Sequence, residues 1–342
     1  MREFESLCGL TADEVFNRIE PLGFSYSHAT LVTNGIYKKR VKDISQLPRI
    51  SGSLRQFLSG AFVTGLFDPL KYEESSDGTR KYLFRNKAGL LYETVYIPDG
   101  KRCTVCISVQ SGCRMGCTLC ATARYGFYGN LSSGEMVNQV IGILEANLVT
   151  HVVFMGMGEP LDNPCEVIKA CNILTADWGL SLSPANITVS TVGITEGVER
   201  FLSSSECNLV LSLFSPFPGE RIRYIPAERR HPAESILEII KNYPARKRRR
   251  MSVAYVMIKD VNDSDAHLEG LKSLLSGSSV RVNLLTYHNT GDTDFIPSTE
   301  ERMLHFKHNL VISGVSASVR KSRGADIHAA CGLLASGLER ID

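Results

Sequence analysis

The sequence predicts an α/β fold in which βα units repeat around a mainly parallel sheet, preceded by a small helical accessory domain. Three observations predict it. From about residue 103 onward, short β-branched runs alternate with longer segments of helical period. About six such units follow one another, with a further strand after the last helix. Residues before about 90 break the pattern.

Taken in order, residues 1–75 read as the accessory domain, with helical segments at 11–19 and 54–59. Residues 76–102 read as a β-hairpin linker, carried by strand-like alternation over 81–97. The core is expected over 103–335, and 336–342 form a tail. Core strands are expected at 103–109, 151–155, 187–191, 208–213, 252–258, 281–285 and 317–321. A helix over 133–147 places Val137, Val140, Ile141 and Leu144 on one stripe, and Ser132 with Glu135 makes a capping box at its start. Helices over 232–242, 263–276 and 299–312 complete the series, with Pro232 suited to a first turn. This many parallel units favour a partial (βα)6 barrel related to the TIM barrel over a doubly wound sheet. Spacing alone does not separate the two, and in both the ligands sit at the carboxyl ends of the strands.

With 43% hydrophobic and 22% charged residues, the composition excludes disordered, collagen-like and coiled-coil chains. The formal charge is only +2, so a polyanion must be met by a local basic patch rather than by the field of the whole molecule. Two runs qualify, Lys38-Lys39-Arg40 and Arg246-Lys247-Arg248-Arg249-Arg250, although charge runs are commonly just solvated faces. No signal-peptide pattern and no membrane-length apolar run is present, so a cytoplasmic protein with no membrane partner is expected. In a reducing compartment its ten cysteines read first as thiols, metal ligands or redox groups.

Three of those cysteines, Cys113, Cys117 and Cys120, fall within eight residues just after the first core strand. Thiolates select zinc or iron–sulfur clusters. A structural zinc site usually takes four protein ligands, whereas a four-iron cluster held by three cysteines leaves one iron open for a substrate's amino and carboxylate groups. Three core thiols without a metal are the plainer alternative. Further along, Met155-Gly156-Met157-Gly158-Glu159-Pro160 follows a strand, and its glycines allow close backbone approach to a ligand.

The C-x3-C-x2-C spacing resembles the cluster motif of radical S-adenosylmethionine (SAM) enzymes, which implies a [4Fe-4S] cluster and S-adenosyl-L-methionine as cofactors. More of the chain is similar to one family. Glu93 to Pro98, Cys106 to Cys113, Cys120 to Phe127 with Asn130-Leu131, Met155 to Leu161, and Arg320-Lys321-Ser322-Arg323-Gly324 followed by Asp326 and Ala329-Ala330-Cys331-Gly332 together resemble the RlmN/Cfr family of RNA adenosine methyltransferases. The likeness runs from roughly residue 11 to 335.

The resemblance implies a chemistry and a set of roles. An adenine C2 or C8 carbon is not nucleophilic, so a radical route is needed. Cys331 would carry a methyl group, Glu93 would accept the ring proton, and Cys106 would resolve the adduct by forming a disulfide with Cys331. Cys113, Cys117 and Cys120 would hold the cluster, and Gly158, Glu159, Ser190, Ser212 and Asn289 would contact S-adenosylmethionine. Taken singly, Glu93 reads rather as an exposed strand charge, and Cys106 and Cys331 as core thiols. The implied substrate is rRNA or tRNA, contacted in part by the N-terminal Lys38, Lys39, Arg40 and Lys42. A flavodoxin- or ferredoxin-type electron donor and a monomeric state complete the expectation. Alternatives are a radical enzyme acting on a non-RNA substrate and a non-catalytic metal-binding module that attaches to RNA.

The sequence departs from the family at three places. Phe214 stands where His is usual after Ser212-Leu213, Ala254 where Glu commonly precedes Tyr255, and His288 where Asn is met without a gap, Asn289 lying one residue on. These changes bear on substrate choice and cofactor geometry. The segment from Arg320 to Gly324 resembles the C2-methylating branch more than the C8-methylating one.

Overall fold

The structure, a computed structural model, describes residues 4–244, 249–290 and 294–338. Its centre is a ten-stranded sheet. The strands are β1 (Lys71–Glu74), β2 (Arg80–Arg85), β3 (Leu91–Asp99), β4 (Arg102–Cys106), β5 (His151–Phe154), β6 (Ile187–Thr191), β7 (Asn208–Ser212), β8 (Met251–Met257), β9 (Arg281–Thr286) and β10 (Ala317–Val319). Each pairs with the next in chain order, so the order never reverses. β1 to β4 form an antiparallel meander, and β4 to β10 are parallel.

Sequential order decides between the two architectures left open by the spacing. A doubly wound sheet reverses strand order at a switch point. Right-handed crossovers that always step the same way put every helix on one face and curl the sheet into an incomplete barrel. Burial follows that geometry: Val105, Val152, Val189, Leu211, Val253 and Leu284 are covered on the helix side, while Thr104, Val153, Ser190, Ser212, Ala254 and Asn283 on the opposite face are only half-covered. That second face lines a lumen. β1 already belongs to the sheet, although it precedes residue 76.

The accessory region contains α1 (Ala12–Ile19), α2 (Tyr26–Tyr37) and α3 (Gly52–Ala61). Thr11 and Glu14 form a capping box at α1, and Ser51 caps α3. The sequence pattern does not reveal helix α2, because its buried face includes Thr33 and Gly35 among Ala29, Val32 and Ile36, which blurs the apolar stripe. The region does not stand apart. Lys169 pairs with Glu14 at 2.6 Å, and the core residues of α1 to α3 belong to the same hydrophobic cluster as the barrel.

The remaining helices are α4 (Ala121–Tyr125), α5 (Ser133–Ile141), α6 (Pro164–Thr175), α7 (Thr195–Ser204), α8 (Pro218–Tyr224), α9 (Ala233–Asn242), α10 (Asp265–Leu275) and α11 (Glu300–Ile312). The Ser132 and Glu135 capping box forms. Helix α5 nevertheless stops at Ile141, short of the expected 147, and Leu144 is 66% exposed instead of buried. The cause is Glu145, whose carboxylate is drawn to Arg80 and to the Tyr82 hydroxyl on β2, pulling the chain off the helical path. The strand expected over 103–109 also ends early, at Cys106. After Val109 the chain leaves the sheet, and Gln110–Gly112 pairs instead with Phe127–Asn130 around the cysteine loop.

No described helix is long and apolar enough to cross a membrane.

Candidate active site

The loop from Cys113 to Cys120 sits at the carboxyl end of β4, held at its base by the Gln110–Gly112 and Phe127–Asn130 pair. Its thiols lie within electrostatic reach of one another, since Cys120 acts on both Cys113 and Cys117. Burial pushes the Cys113 thiol up to about 12, and burial together with the neighbouring thiols raises Cys117 as well. Cys113 and Cys117 therefore hold their protons in the loop as it stands, and a metal centre bound there must displace them. Among the described residues, no group of three His, Cys, Asp or Glu side chains converges as a single-ion site would require. Three half-buried thiols spread along one loop suit a cluster, in which each sulfur binds a different iron.

Beside the loop, Gly158 has φ +97, and a Cβ there would lie 2.9 Å from the Gln110 amide nitrogen. Only glycine fits that approach. Glu159 is buried, and its carboxylate accepts from Thr191 Oγ1 at 2.6 Å and from the amides of Val192 and Leu161, both at 2.9 Å. Burial outweighs these three donors and raises the Glu159 carboxyl to about 7. The side chain thus ties its loop to the end of β6, leaving little acceptor capacity for a ligand.

Ser190 and Ser212, on neighbouring strands, bring their hydroxyls to 3.4 Å. Asn289 lies exposed beyond the end of β9, while His288 turns its Nε2 to the Ser322 hydroxyl at 2.6 Å. Phe214, in the left-handed region at φ +65, packs against Tyr224 with ring centroids 4.4 Å apart and planes tilted by 40°. With Ile225, Ile258 and Tyr287 it forms an apolar wall against Cys117 and Leu119. Where a histidine would offer a polar contact, this chain presents a hydrophobic surface to the cysteine loop.

The segment after β10 closes the open side of the barrel. Arg323 reaches Asp99 at 3.4 Å, the Gly324 amide donates to Asp77 at 3.1 Å, and Asp326 accepts from the Ser75 hydroxyl at 2.6 Å. The chain then docks on α4: the Ala121 amide donates to the Gly332 carbonyl and the Thr122 hydroxyl to that of Leu334, each at 3.0 Å. The Ala335 amide donates to Glu93 Oε2 at 2.7 Å, and Lys81 Nζ stands 3.4 Å from the other carboxylate oxygen. This strap carries Cys331 to the site.

Cys331 is exposed, yet surrounding atoms raise its thiol, first by burial and then through Cys120. Buried Cys106 is raised by desolvation and then by Cys331. The register Val95↔Cys106 puts Cys106 on the same sheet face as Glu93. Residues distant in sequence, Glu93, Cys106, Cys120 and Cys331, thus share one neighbourhood.

A model of the radical SAM superfamily matches residues 107–269. The chain is 41% identical over 336 residues to a probable dual-specificity RNA methyltransferase RlmN of Parabacteroides distasonis, covering 98% of each. The chain belongs to the RlmN family of radical SAM enzymes. The RlmN of Syntrophotalea carbinolica is 37% identical, over 96% of this chain and 89% of its own length. A radical SAM methyltransferase from Sphaerobacter thermophilus superposes with a TM-score of 0.88 at 34% identity, covering 97% of this chain and 99% of that one. The fold is thus a radical SAM partial barrel with an N-terminal helical region, and the family uses a [4Fe-4S] cluster with S-adenosylmethionine.

Sequence reasoning missed Arg221, which is fully buried within this RlmN-family barrel. Its guanidinium donates to the carbonyls of Leu213 at 2.9 Å, Val192 at 2.7 Å and Ser212 at 3.0 Å, and pairs with Glu228. It pins the ends of β6 and β7 beside Cys117. In sequence it is one arginine in Glu220-Arg221-Ile222-Arg223, indistinguishable from a solvated helix charge.

The first basic run is largely engaged. Lys38 donates to the Asp177 carbonyl, Arg40 to Asn147, and Lys42 to Asp68 at 2.6 Å. Within the second run, Arg246, Lys247 and Arg248 lie outside the described residues, and Arg249 stacks over Phe201 and Tyr243.

Proposed function

We propose that the enzyme methylates C2, in preference to C8, of an adenosine in rRNA or tRNA through an S-methylcysteine at Cys331. One observation carries the reading: the strap brings Cys331 into the electrostatic neighbourhood of Cys106 and Cys120 while Glu93 holds the same strap. Two thiols and a carboxylate are the groups that such a transfer needs from the protein. The preference for C2 rests on the Arg320 to Gly324 segment.

Cys113, Cys117 and Cys120 would hold the cluster, with Gly158, Glu159, Ser190, Ser212 and Asn289 around S-adenosylmethionine. When bound, the cluster supplies the electron that splits S-adenosylmethionine and so provides the radical. Cys331 would accept the methyl group and then lose one of its hydrogen atoms to that radical, so that the remaining carbon bonds the adenine ring carbon and the odd electron returns to the cluster. Glu93 takes the ring proton, with Lys81 beside the carboxylate. Cys106 then attacks the Cys331 sulfur, which frees the methylated RNA and leaves a Cys106–Cys331 disulfide for later reduction. A base inside a folded RNA must be extruded to reach this site. A flavodoxin- or ferredoxin-type electron donor and a monomeric enzyme complete the proposal.

The test is incubation of reduced, cluster-loaded enzyme with total RNA and isotopically labelled S-adenosylmethionine, followed by nucleoside mass spectrometry. Label in C2-methyladenosine is expected. Label confined to another molecule would exclude the RNA reading.

A further inference from the structure

The lumen below the thiols carries a second feature that the methyl-transfer site does not use. Arg102 and Thr104 alternate with helix-facing residues on β4, on the same face as Cys106, and the Arg102 Nε donates to Thr104 Oγ1 at 3.3 Å. Arg250, just before β8, donates its amide to Asn208 Oδ1 at 2.8 Å and its guanidinium to the Ala185 carbonyl at 2.9 Å. Arg320, just after β10, places its Nε 3.0 Å from Asn283 Oδ1, which also accepts from Ser318 at 3.2 Å. These arginines come from three separate strands.

Two of them lie within electrostatic reach of the third: burial lowers Arg320, and Arg102 and Arg250 lower it further. Among the described residues none of the three has a carboxylate within ion-pair distance. His151, in register with Thr104, adds no counter-charge, because burial and the same two arginines hold it below its usual value. Arg281 starts β9 at the same end, also exposed. The register Ser212↔Ala254↔Asn283 puts Ala254 beside the residue that holds Arg320, where a methyl group offers no charge. Each guanidinium carries five donors and commits one to the contacts described above. Like charges on the lumen face with spare donors, and no acid at ion-pair distance among the described residues, are complementary to an anion.

We propose that the lower lumen is a phosphate-binding subsite in which Arg102, Arg250 and Arg320 hold one phosphate group. From Arg102 to Cys106 the strand climbs four residues, about 13 Å, so a phosphate held there shares the lumen with the thiols without touching them. The group comes either from the backbone of a bound RNA or from a free phosphate ion.

Two measurements on the full-length, cluster-loaded enzyme test this and separate the sources. In the first, inorganic phosphate is titrated against sodium chloride of matched ionic strength while the thermal midpoint is followed. A saturable, phosphate-specific rise is expected for the wild type, absent in Arg320→Ala and in Ala254→Glu, which supplies an internal carboxylate instead. In the second, RNA affinity is measured against salt. If the phosphate belongs to RNA, the slope of log K against log salt falls by about one in both variants. An unchanged slope with the phosphate-specific rise assigns the subsite to the free ion. If phosphate gives no specific rise and the slope does not change, the proposal is overturned. The first readout does not depend on methylation, so its failure is distinct from failure of the C2 reading.

Discussion

The Glu93 carboxylate accepts the backbone N–H of Ala335 at 2.7 Å, joining a strand to a residue 242 positions later in the chain. Glu93 therefore fastens the strap that carries Cys331, an architectural task beside the proton transfer proposed for it.

Substitution separates those tasks. Glu93→Gln keeps the shape and an acceptor oxygen for Ala335 but cannot take a proton, so a covalent RNA–protein adduct is expected to accumulate, visible as a shifted band in denaturing gels. Glu93→Ala removes the partner of buried Lys81 and should cost about 3 kcal/mol in urea unfolding, at the low end for broken buried pairs because Glu73 also lies 3.4 Å from Lys81. Full turnover by Glu93→Gln would remove it from the chemistry.

The two thiols should fail differently. With Cys331→Ala, the protein is expected to take up no labelled methyl group. With Cys106→Ala, uptake should proceed and the RNA adduct should stall. Intact-protein mass spectrometry reads both outcomes, and efficient turnover by either variant excludes that thiol.

Arg221→Met leaves Glu228 buried with only the Ala233 amide, at 3.0 Å, as a remaining partner. A loss of about 3–5 kcal/mol is expected by chemical denaturation. The double variant Arg221→Met with Glu228→Leu should recover much of it, because an apolar pair carries no uncompensated charge. If the single variant unfolds like wild type, the arginine does not hold the strand ends.

Glu159 gives the cluster-free protein a pH signature. Its carboxyl is raised from 4.5 to about 7, so the folded state binds a proton that the unfolded state has released. That contribution is fully present below pH 4.5 and is lost as pH rises to about 7, at up to about 1.4 kcal/mol per pH unit. Glu159→Gln should flatten this part of the stability profile. Parallel profiles for the two proteins would show that the carboxyl is not raised.

Gly158→Ala tests the close approach at Gln110. A left-handed alanine whose Cβ meets a backbone nitrogen should cost about 1–3 kcal/mol, and binding of S-adenosylmethionine, followed by calorimetry, should weaken with it. Unchanged stability and binding would mean the loop can move aside.

Much of this was legible in the sequence, for identifiable reasons. The cysteine spacing lies within eight residues, and the βα alternation is a local periodicity, so both survive in one dimension. Glu145 shows the limit: its pull toward Arg80 and Tyr82 ends α5 early, and that pull comes from a strand some sixty residues away. Arg221 shows another, since a helix charge becomes a buried clamp only when three carbonyls from two strand ends converge on it.

By itself the sequence determined the loop of three closely spaced thiols, the repeated parallel units and the set of residues that the proposed chemistry would require. Only the tertiary structure decided that the strands run in unbroken order and so curl into a partial barrel. It also decided that the chain after β10 crosses the open side to set Cys331 near Cys106, and that Arg102 and Arg250 come within electrostatic reach of Arg320. Spacing and periodicity record contacts among near neighbours, whereas these relationships arise when strands far apart in the chain close around a common lumen.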